Sequence, residues 1–243
     1  MNSAQVHYDQ LLGPVYSWMA GGFHAATARN RLLFESLGIA SWPKGLAVDL
    51  GCGSGFQSIP LAEAGFRVLA LDFCESLLAE LRSHAGNLQI RTVSDDLANF
   101  PNHLDVAPTL IACMGDTLTH LPSIDAVTRL FADSARVLAP HGRFVLTFRD
   151  LTTNELKGPH RFIPVRSESD RIFTCVLDYQ PDHVEVNDLL YVRTGDSWKF
   201  TCSSYLKLRL NAPQVSALLT SASLVIEHSS TEQGVVRIVA KVG

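Results

Sequence analysis

Three glycines in the stretch "VDLGCGSGF", Gly51, Gly53 and Gly55, follow an apolar run that ends at Leu50. A glycine loop placed there can turn with positive φ and lets a ligand lie against bare main chain. Its neighbours narrow what that ligand is. A dinucleotide loop reads G-x-G-x-x-G, and here the third glycine comes one residue early; a Walker loop needs a G-K-[ST] that is absent, so no lysine reaches a phosphate. Asp49, the penultimate residue of the apolar run, would repel a pyrophosphate and favour a cationic amine. These features point to S-adenosylmethionine, whose methionine end carries an ammonium and whose sulfur is a cation.

More acids follow at chemically useful places. Asp72, ending "VLALD" about 20 residues beyond the loop, is spaced to accept ribose hydroxyls. It would serve NAD equally well, and it could instead cap the helix that begins with "FCESLLAEL". In "SDDL", Asp95 or Asp96 can accept an adenine amino group while a neighbouring backbone N–H meets a ring nitrogen. "ACMGDTLTHL" brings Cys113, Met114, Gly115 and Asp116 to the end of a fourth strand, beside the switch in strand order. A polarizable Met and a small Gly suit close approach to the ligand, although Met in a strand also serves as plain core.

The elements that must position these residues are legible from 46 to 150. Short continuous apolar runs ("LAVDL", "RVLALD", "LQIRTV", "TLIACMG", "GRFVLTF") alternate with helical patterns, which predicts a parallel sheet covered on both faces. The fold expected is α/β, a doubly wound, seven-stranded, mostly parallel sheet. Residues 1–45 lack strand character and carry His7, Tyr8, Tyr16, Trp18 and Phe23, a helical segment that can act as a lid or simply pack on the sheet. Residues 151–210 alternate as antiparallel strands with turn signals "QPDH" and "TGDS", an insertion after the fifth strand. In 211–243 "NAP" starts a last helix with a capping Asn and an early Pro, and "LVIEHS" and "VVRIVAKV" form a terminal hairpin.

Composition excludes several classes. A net charge of −4 with 20 scattered Lys and Arg gives no broad positive field, so neither nucleic acid nor an anionic membrane is an expected partner. No basic start precedes an apolar segment and no run approaches spanning length, which gives a cytoplasmic expectation. The five cysteines are odd in number, widely spaced and never C-x-x-C; they read as reduced, mostly buried thiols.

"VDLGCGSG", "LALD", "SDDL" and "MGDTLTHL", in this order, resemble the class I S-adenosylmethionine-dependent methyltransferases from about Leu46 to Thr147. The resemblance implies that Asp49, Gly51, Gly53 and Gly55 hold the methionine portion, that Asp72 holds the ribose, and that Asp95, Asp96 and Leu97 face adenine. Cys52, Phe73, Tyr8, Trp18 and the residues 113–116 complete the expected cofactor contacts. "YSWMAGG", "FRD" and "SSYLKLRL" are similar to small-molecule enzymes of the glycine N-methyltransferase-like kind. An N-P-P-[FYW] tetrad and a catechol-type acidic metal pattern are absent from the sequence, which favours metal-free chemistry on a small metabolite.

Methyl transfer from a sulfonium is an in-line displacement whose thioether leaving group needs no proton, so alignment can supply most of the rate. His120 is the candidate orienting group or general base, on the strength of an ordinary imidazole pKa of about 6.5. It could equally be a solvent-facing helix-start histidine. Arg149 is placed to grip a substrate carboxylate, with Tyr205 and Tyr16 as further substrate contacts. The acceptor is an N or O nucleophile of a small molecule, and a homodimer through the insertion is open. A non-catalytic binding module and an NAD-dependent oxidoreductase remain as alternatives.

Overall fold

The computed structural model describes residues 3–243. Five strands lie in the first two thirds of the chain: β1 (Leu46–Leu50), β2 (Arg67–Asp72), β3 (Ile90–Ser94), β4 (Leu110–Cys113) and β5 (Arg143–Arg149). Four more form the insertion, β6 (Phe162–Ser167), β7 (Arg171–Tyr179), β8 (His183–Thr194) and β9 (Ser197–Leu208), and β10 (Leu224–Glu232) and β11 (Val235–Val242) end it. The main sheet has seven strands in the order β10-β11-β5-β4-β1-β2-β3. β1 to β5 pair in parallel, and β10 and β11 form an antiparallel hairpin joined to β5. This is the seven-stranded, mostly parallel architecture expected from the sequence.

Both faces of the sheet are covered because its central strands require it: β1 and β4 are buried at every residue. The helices are α1 (Ser3–His7), α2 (Tyr16–Met19), α3 (Phe23–Ser36), α4 (Ser58–Glu63), α5 (Glu75–Ala85), α6 (Ile124–Val137) and α7 (Ala212–Ser221). α6 and α7 pack on one face, and α3, α4 and α5 on the other. In α6 the buried residues Val127, Leu130, Phe131 and Ser134 recur every three to four positions, and Ser123 caps the first turn by accepting from the Ala126 N–H. Phe131 meets Phe144 of β5 edge to face, 5.7 Å between centroids. Truncating a buried Phe of this kind costs roughly 3–5 kcal/mol. The "NAP" signal behaves as written: the Asn211 side chain accepts from the Gln214 N–H at 2.9 Å and starts α7.

The insertion is a second, antiparallel sheet in the order β6-β7-β8-β9. Along β8 the residues Val184, Val186, Asp188 and Leu190 are buried and alternate with partly exposed ones. That inward face meets the N-terminal helical segment through Ala4, Leu11 and Leu12. No described helix is long and apolar enough to cross a membrane.

Candidate active site

The glycine loop is pinned to β2 by one carboxylate. Asp72 Oδ2 accepts the Gly53 N–H and Oδ1 accepts the Cys74 N–H, both at 2.8 Å, while burial raises its pKa. Asp72 does not cap α5, whose N-cap Cys74 supplies no side-chain cap; it holds the N–H of Cys74 just before the helix, and the same side chain also faces the cavity described below. Gly51, Gly53 and Gly55 all have positive φ. Two of the three are needed for packing rather than for ligand space: a Cβ on Gly55 would strike Leu81 of α5, and one on Gly51 would strike Thr117. Bare main chain facing open space is found instead at Gly115, φ +68°, where no atom lies within 4 Å of a Cβ position and the N–H is held by Thr147 Oγ1 at 2.7 Å.

A cavity of about 1560 Å³ opens at the carboxyl ends of β1, β2, β4 and β5, between the parallel sheet, the N-terminal helices and the inward face of the antiparallel sheet. Of the residues expected from the sequence, Tyr8, Tyr16, Gly51, Gly53, Asp72, Phe73, Asp95, Asp96, Leu97, Met114, Gly115, Asp116, His120, Arg149 and Tyr205 line it. The structure brings these together from the ends of β1 to β5, from Tyr205 within β9, and from the N-terminal segment.

Five others stand behind the wall. Asp49 is buried and accepts the Ser58 hydroxyl at 2.5 Å, tying β1 to α4. Burial pushes its carboxyl up to about 7 against the opposing Ser58 bonds, and from this position it does not line the cavity. Cys52 is buried, its N–H held by the Leu71 carbonyl, and Cys113 is core, its thiol pushed up by burial to about 12. Gly55 faces α5, as described. Trp18 packs beside the guanidinium groups of Arg166 and Arg171, 5.5 and 5.2 Å from its ring. Asp95 does reach the wall, but its carboxylate is already engaged by Asn99 Nδ2 at 2.9 Å and His103 Nε2 at 2.7 Å, which lower its pKa. Its neighbour Asp96 is exposed and holds the Ala98 N–H through Oδ1.

At the other end the two sheets meet. Lys207 Nζ of β9 lies 2.6 Å from Asp116 Oδ2, whose Oδ1 accepts the Arg149 N–H at 3.0 Å. Burial works to raise the Asp116 carboxyl; the Lys207 ammonium, with Arg149 behind it, more than offsets this and holds it well below the usual carboxylate range. The His120 ring lies 5.2 Å from Tyr205 and 5.8 Å from Tyr8, and Tyr205 lies 4.4 Å from His7. His7 Nε2 meets Asp188 Oδ2 at 3.0 Å, both side chains buried. Burial keeps the phenols of Tyr8 and Tyr205 protonated far above neutrality.

His120 departs from the expectation of an ordinary imidazole. Burial, together with the Lys207 ammonium and His7, pushes it down to about 3 against the opposing pull of Asp116. It is neutral across the physiological range, and its Nδ1 is buried without a hydrogen-bond partner. A neutral imidazole has one acceptor nitrogen and one donor. It can orient a substrate, but it is too weak a base to hold a proton at neutral pH.

Lys207, Asp188 and His7 form part of this end and were not singled out as site residues by the sequence. Parity carries a signal for Asp188: it stands in the apolar register of "HVEVNDLL", between Val186 and Leu190. Lys207 carries the same signal, paired with Val184 across β8 and β9. Among the described residues no group of three or more His, Cys, Asp or Glu side chains is placed to hold a metal ion.

Residues 47–142 match a family described as a methyltransferase domain. A glycine/sarcosine N-methyltransferase from Aphanothece halophytica is 31% identical over 120 residues, 47% of this chain and 45% of that protein. The chain spans less than half the length of the curated relatives it matches. Among solved structures, an S-adenosylmethionine-dependent methyltransferase from Clostridium acetobutylicum aligns over 99% of this chain and 97% of its own, with a TM-score of 0.76 at 15% identity. An amino pentose methyltransferase from Micromonospora echinaspora, involved in calicheamicin biosynthesis, aligns over 90% and 91% with a TM-score of 0.70 at 18% identity. Residues 47–142 thus carry the match to the methyltransferase-domain family, in a chain with the fold of solved S-adenosylmethionine-dependent methyltransferases.

Proposed function

We propose that the protein transfers a methyl group from S-adenosylmethionine to the amine nitrogen of a small molecule, without a metal. The observation that carries the donor is the wall around the glycine loop. Asp72, Asp95 and Asp96 face the cavity there, and residues 51–57, 72–73 and 94–98 contribute no Lys or Arg. Such a wall suits hydroxyl and amino donors on a cationic ligand and repels phosphates. Asp72 would hold the ribose, Asp96 and the main chain at Leu97 the adenine, and Gly51, Gly53 and the open backbone at Gly115 the methionine end. When bound, the donor supplies a methyl on a positively charged sulfur.

The cavity, about 1560 Å³, is large for a single ligand, since pockets commonly run about 300–1,000 Å³. It leaves room for an acceptor against Tyr8, His120, Arg149 and Tyr205, with Tyr8 and Tyr16 bringing the described part of the N-terminal segment, 3–45, over the site as a lid. A nitrogen acceptor is favoured over oxygen by His120. An imidazole pushed down to about 3 is a poor base toward a hydroxyl, whereas a neutral amine needs no base before it attacks. His120 then accepts an acceptor N–H and aims the nitrogen, and the surplus ammonium proton leaves to water after transfer. Glycine, sarcosine and an amino pentose are named for the relatives above, which fits an amine class.

Calorimetry with adenosylmethionine, adenosylhomocysteine and NADH, followed by methyl-transfer assays on matched amine and alcohol metabolites, tests the reading. Binding of both adenosyl ligands and turnover of amines alone is the expected result. NADH binding, or turnover confined to alcohols, overturns it.

A further inference from the structure

The part of the cavity that faces the antiparallel sheet has a wall that is largely apolar. Alternation turns one face of β7 and β8 toward it: Leu177 of β7 pairs with Val186 of β8, which pairs in turn with Tyr205 of β9. Ile163 of β6, the register partner of Cys175, and Leu156, in the loop before β6, extend this wall outward. Both are half-buried and line the cavity.

The charges that reach this wall already have partners inside the protein. Asp188 Oδ2 meets His7 Nε2, Lys207 Nζ meets Asp116 Oδ2, and Asp150 Oδ1 accepts the Thr152 N–H and hydroxyl. The Tyr179 hydroxyl donates to the Asn154 carbonyl. A ligand that took Asp188 or Lys207 for itself would leave a buried charge behind, which is costly. Arg149 and Gln5 also line the cavity, with no side-chain bond among the described residues, and neither lies on β6 to β9.

We propose that the acceptor nitrogen is carried on an apolar body, an alkyl or aryl group of several carbons that lies along Leu156, Ile163, Leu177 and Val186. This rests on the amine reading above and names its substrate class. The volume agrees: about 1560 Å³ exceeds the roughly 1,000 Å³ of a large single-ligand pocket. Glycine beside the donor would leave this wall wet. Each methylene laid against it should raise kcat/KM about fourfold, the ratio equivalent to about 0.8 kcal/mol.

A series of primary alkylamines from ethylamine to octylamine tests this, because their nitrogens are nearly equal in basicity and chain length alone varies. kcat/KM should climb about fourfold per methylene until the wall is filled, and hexylamine should exceed glycine, sarcosine and ethanolamine at least tenfold. Ile163→Asn should cut the step to less than twofold while circular dichroism and the affinity for adenosylhomocysteine stay unchanged. Leu156→Asn, in a loop, repeats the test without touching a strand. A flat series, or glycine turned over faster than hexylamine, overturns the proposal and leaves the amine reading standing. So does a steep series that neither substitution alters. Adenosylhomocysteine binding with no amine methylated overturns the amine reading, and the proposal falls with it.

Discussion

Lys207 Nζ lies 2.6 Å from Asp116 Oδ2, although the two residues are separated by 91 positions in the chain, one in β9 of the antiparallel sheet and the other just beyond β4 of the main sheet. The bond closes the cavity between the end of β4 and the inward face of β9. It also sets the charge seen by His120.

Removing that ammonium should therefore be felt in two ways. Lys207→Met should destabilise the protein by about 2 kcal/mol, between the values for exposed and buried pairs, because Asp116 is left half-buried without its cation. Adding Asp116→Asn should recover part of that loss. Denaturant unfolding of the four members of the cycle checks it, and simple additivity of the two changes would show that the pair contributes nothing.

Asp72→Ala should weaken adenosylmethionine binding at least tenfold, about 1.4 kcal/mol. The loop also loses its tether to β2, so affinity should be compared with thermal stability. A folded variant with wild-type affinity refutes the ribose assignment.

His120→Ala should lower turnover of an amine roughly tenfold, a typical cost for one orienting hydrogen bond. The apparent pKa of the rate profile between pH 6 and 9 should stay where it is, because His120 is neutral throughout. That profile should instead track the amine: rates rise with pH as ammonium becomes free base. A shift of the profile on substitution would show that His120 titrates within this range.

Asp49 predicts a pH dependence of stability with a defined sign. Its carboxyl sits at about 7 in the fold against an ordinary 3.8, so the folded state binds the proton more tightly than the unfolded chain. Its contribution is fully present below pH 4 and is lost as pH rises to about 7, a change of order 4 kcal/mol. In Asp49→Asn this term disappears. Subtracting the variant's stability curve from that of the wild type, between pH 4 and 8, should leave a falling slope that flattens above 7; a flat difference means Asp49 is ionised in the fold.

The main sheet was legible because its strands carry their own signal: "LIAC" is apolar throughout and "LAVDL" is apolar but for Asp49, and runs of that kind suit a strand buried on both faces. The acids at the strand ends were legible by their spacing from the glycine loop. Behaviour set by three-dimensional surroundings was not. Nothing in "VDLGCGSG" says that Ser58, nine residues on, turns Asp49 away from the cavity, or that Asn99 and His103 engage Asp95. The imidazole of His120 looks ordinary in "TLTHL", and only Lys207 and the surrounding apolar packing make it a weak base. Lys207 was hidden for another reason: it reads as outward until its pairing with Val184 across β8 and β9 is known, whereas Asp188 already stands in the apolar register of its own strand.

The antiparallel sheet leaves the main sheet after Arg149 and the chain returns at Asn211, with Arg209 Nε bonded to the Leu151 carbonyl at 3.2 Å where the two ends meet. Its ends are thus adjacent while the glycine loop, Asp72 and Asp96 lie entirely outside it. Of Tyr8, His120, Arg149 and Tyr205, proposed to meet the acceptor, Tyr205 lies within this inserted cassette and the other three lie outside it: on that reading a stretch from a related chain, grafted between these two points with a lysine kept opposite Asp116, would rebuild one wall of the acceptor site without disturbing what supplies the methyl.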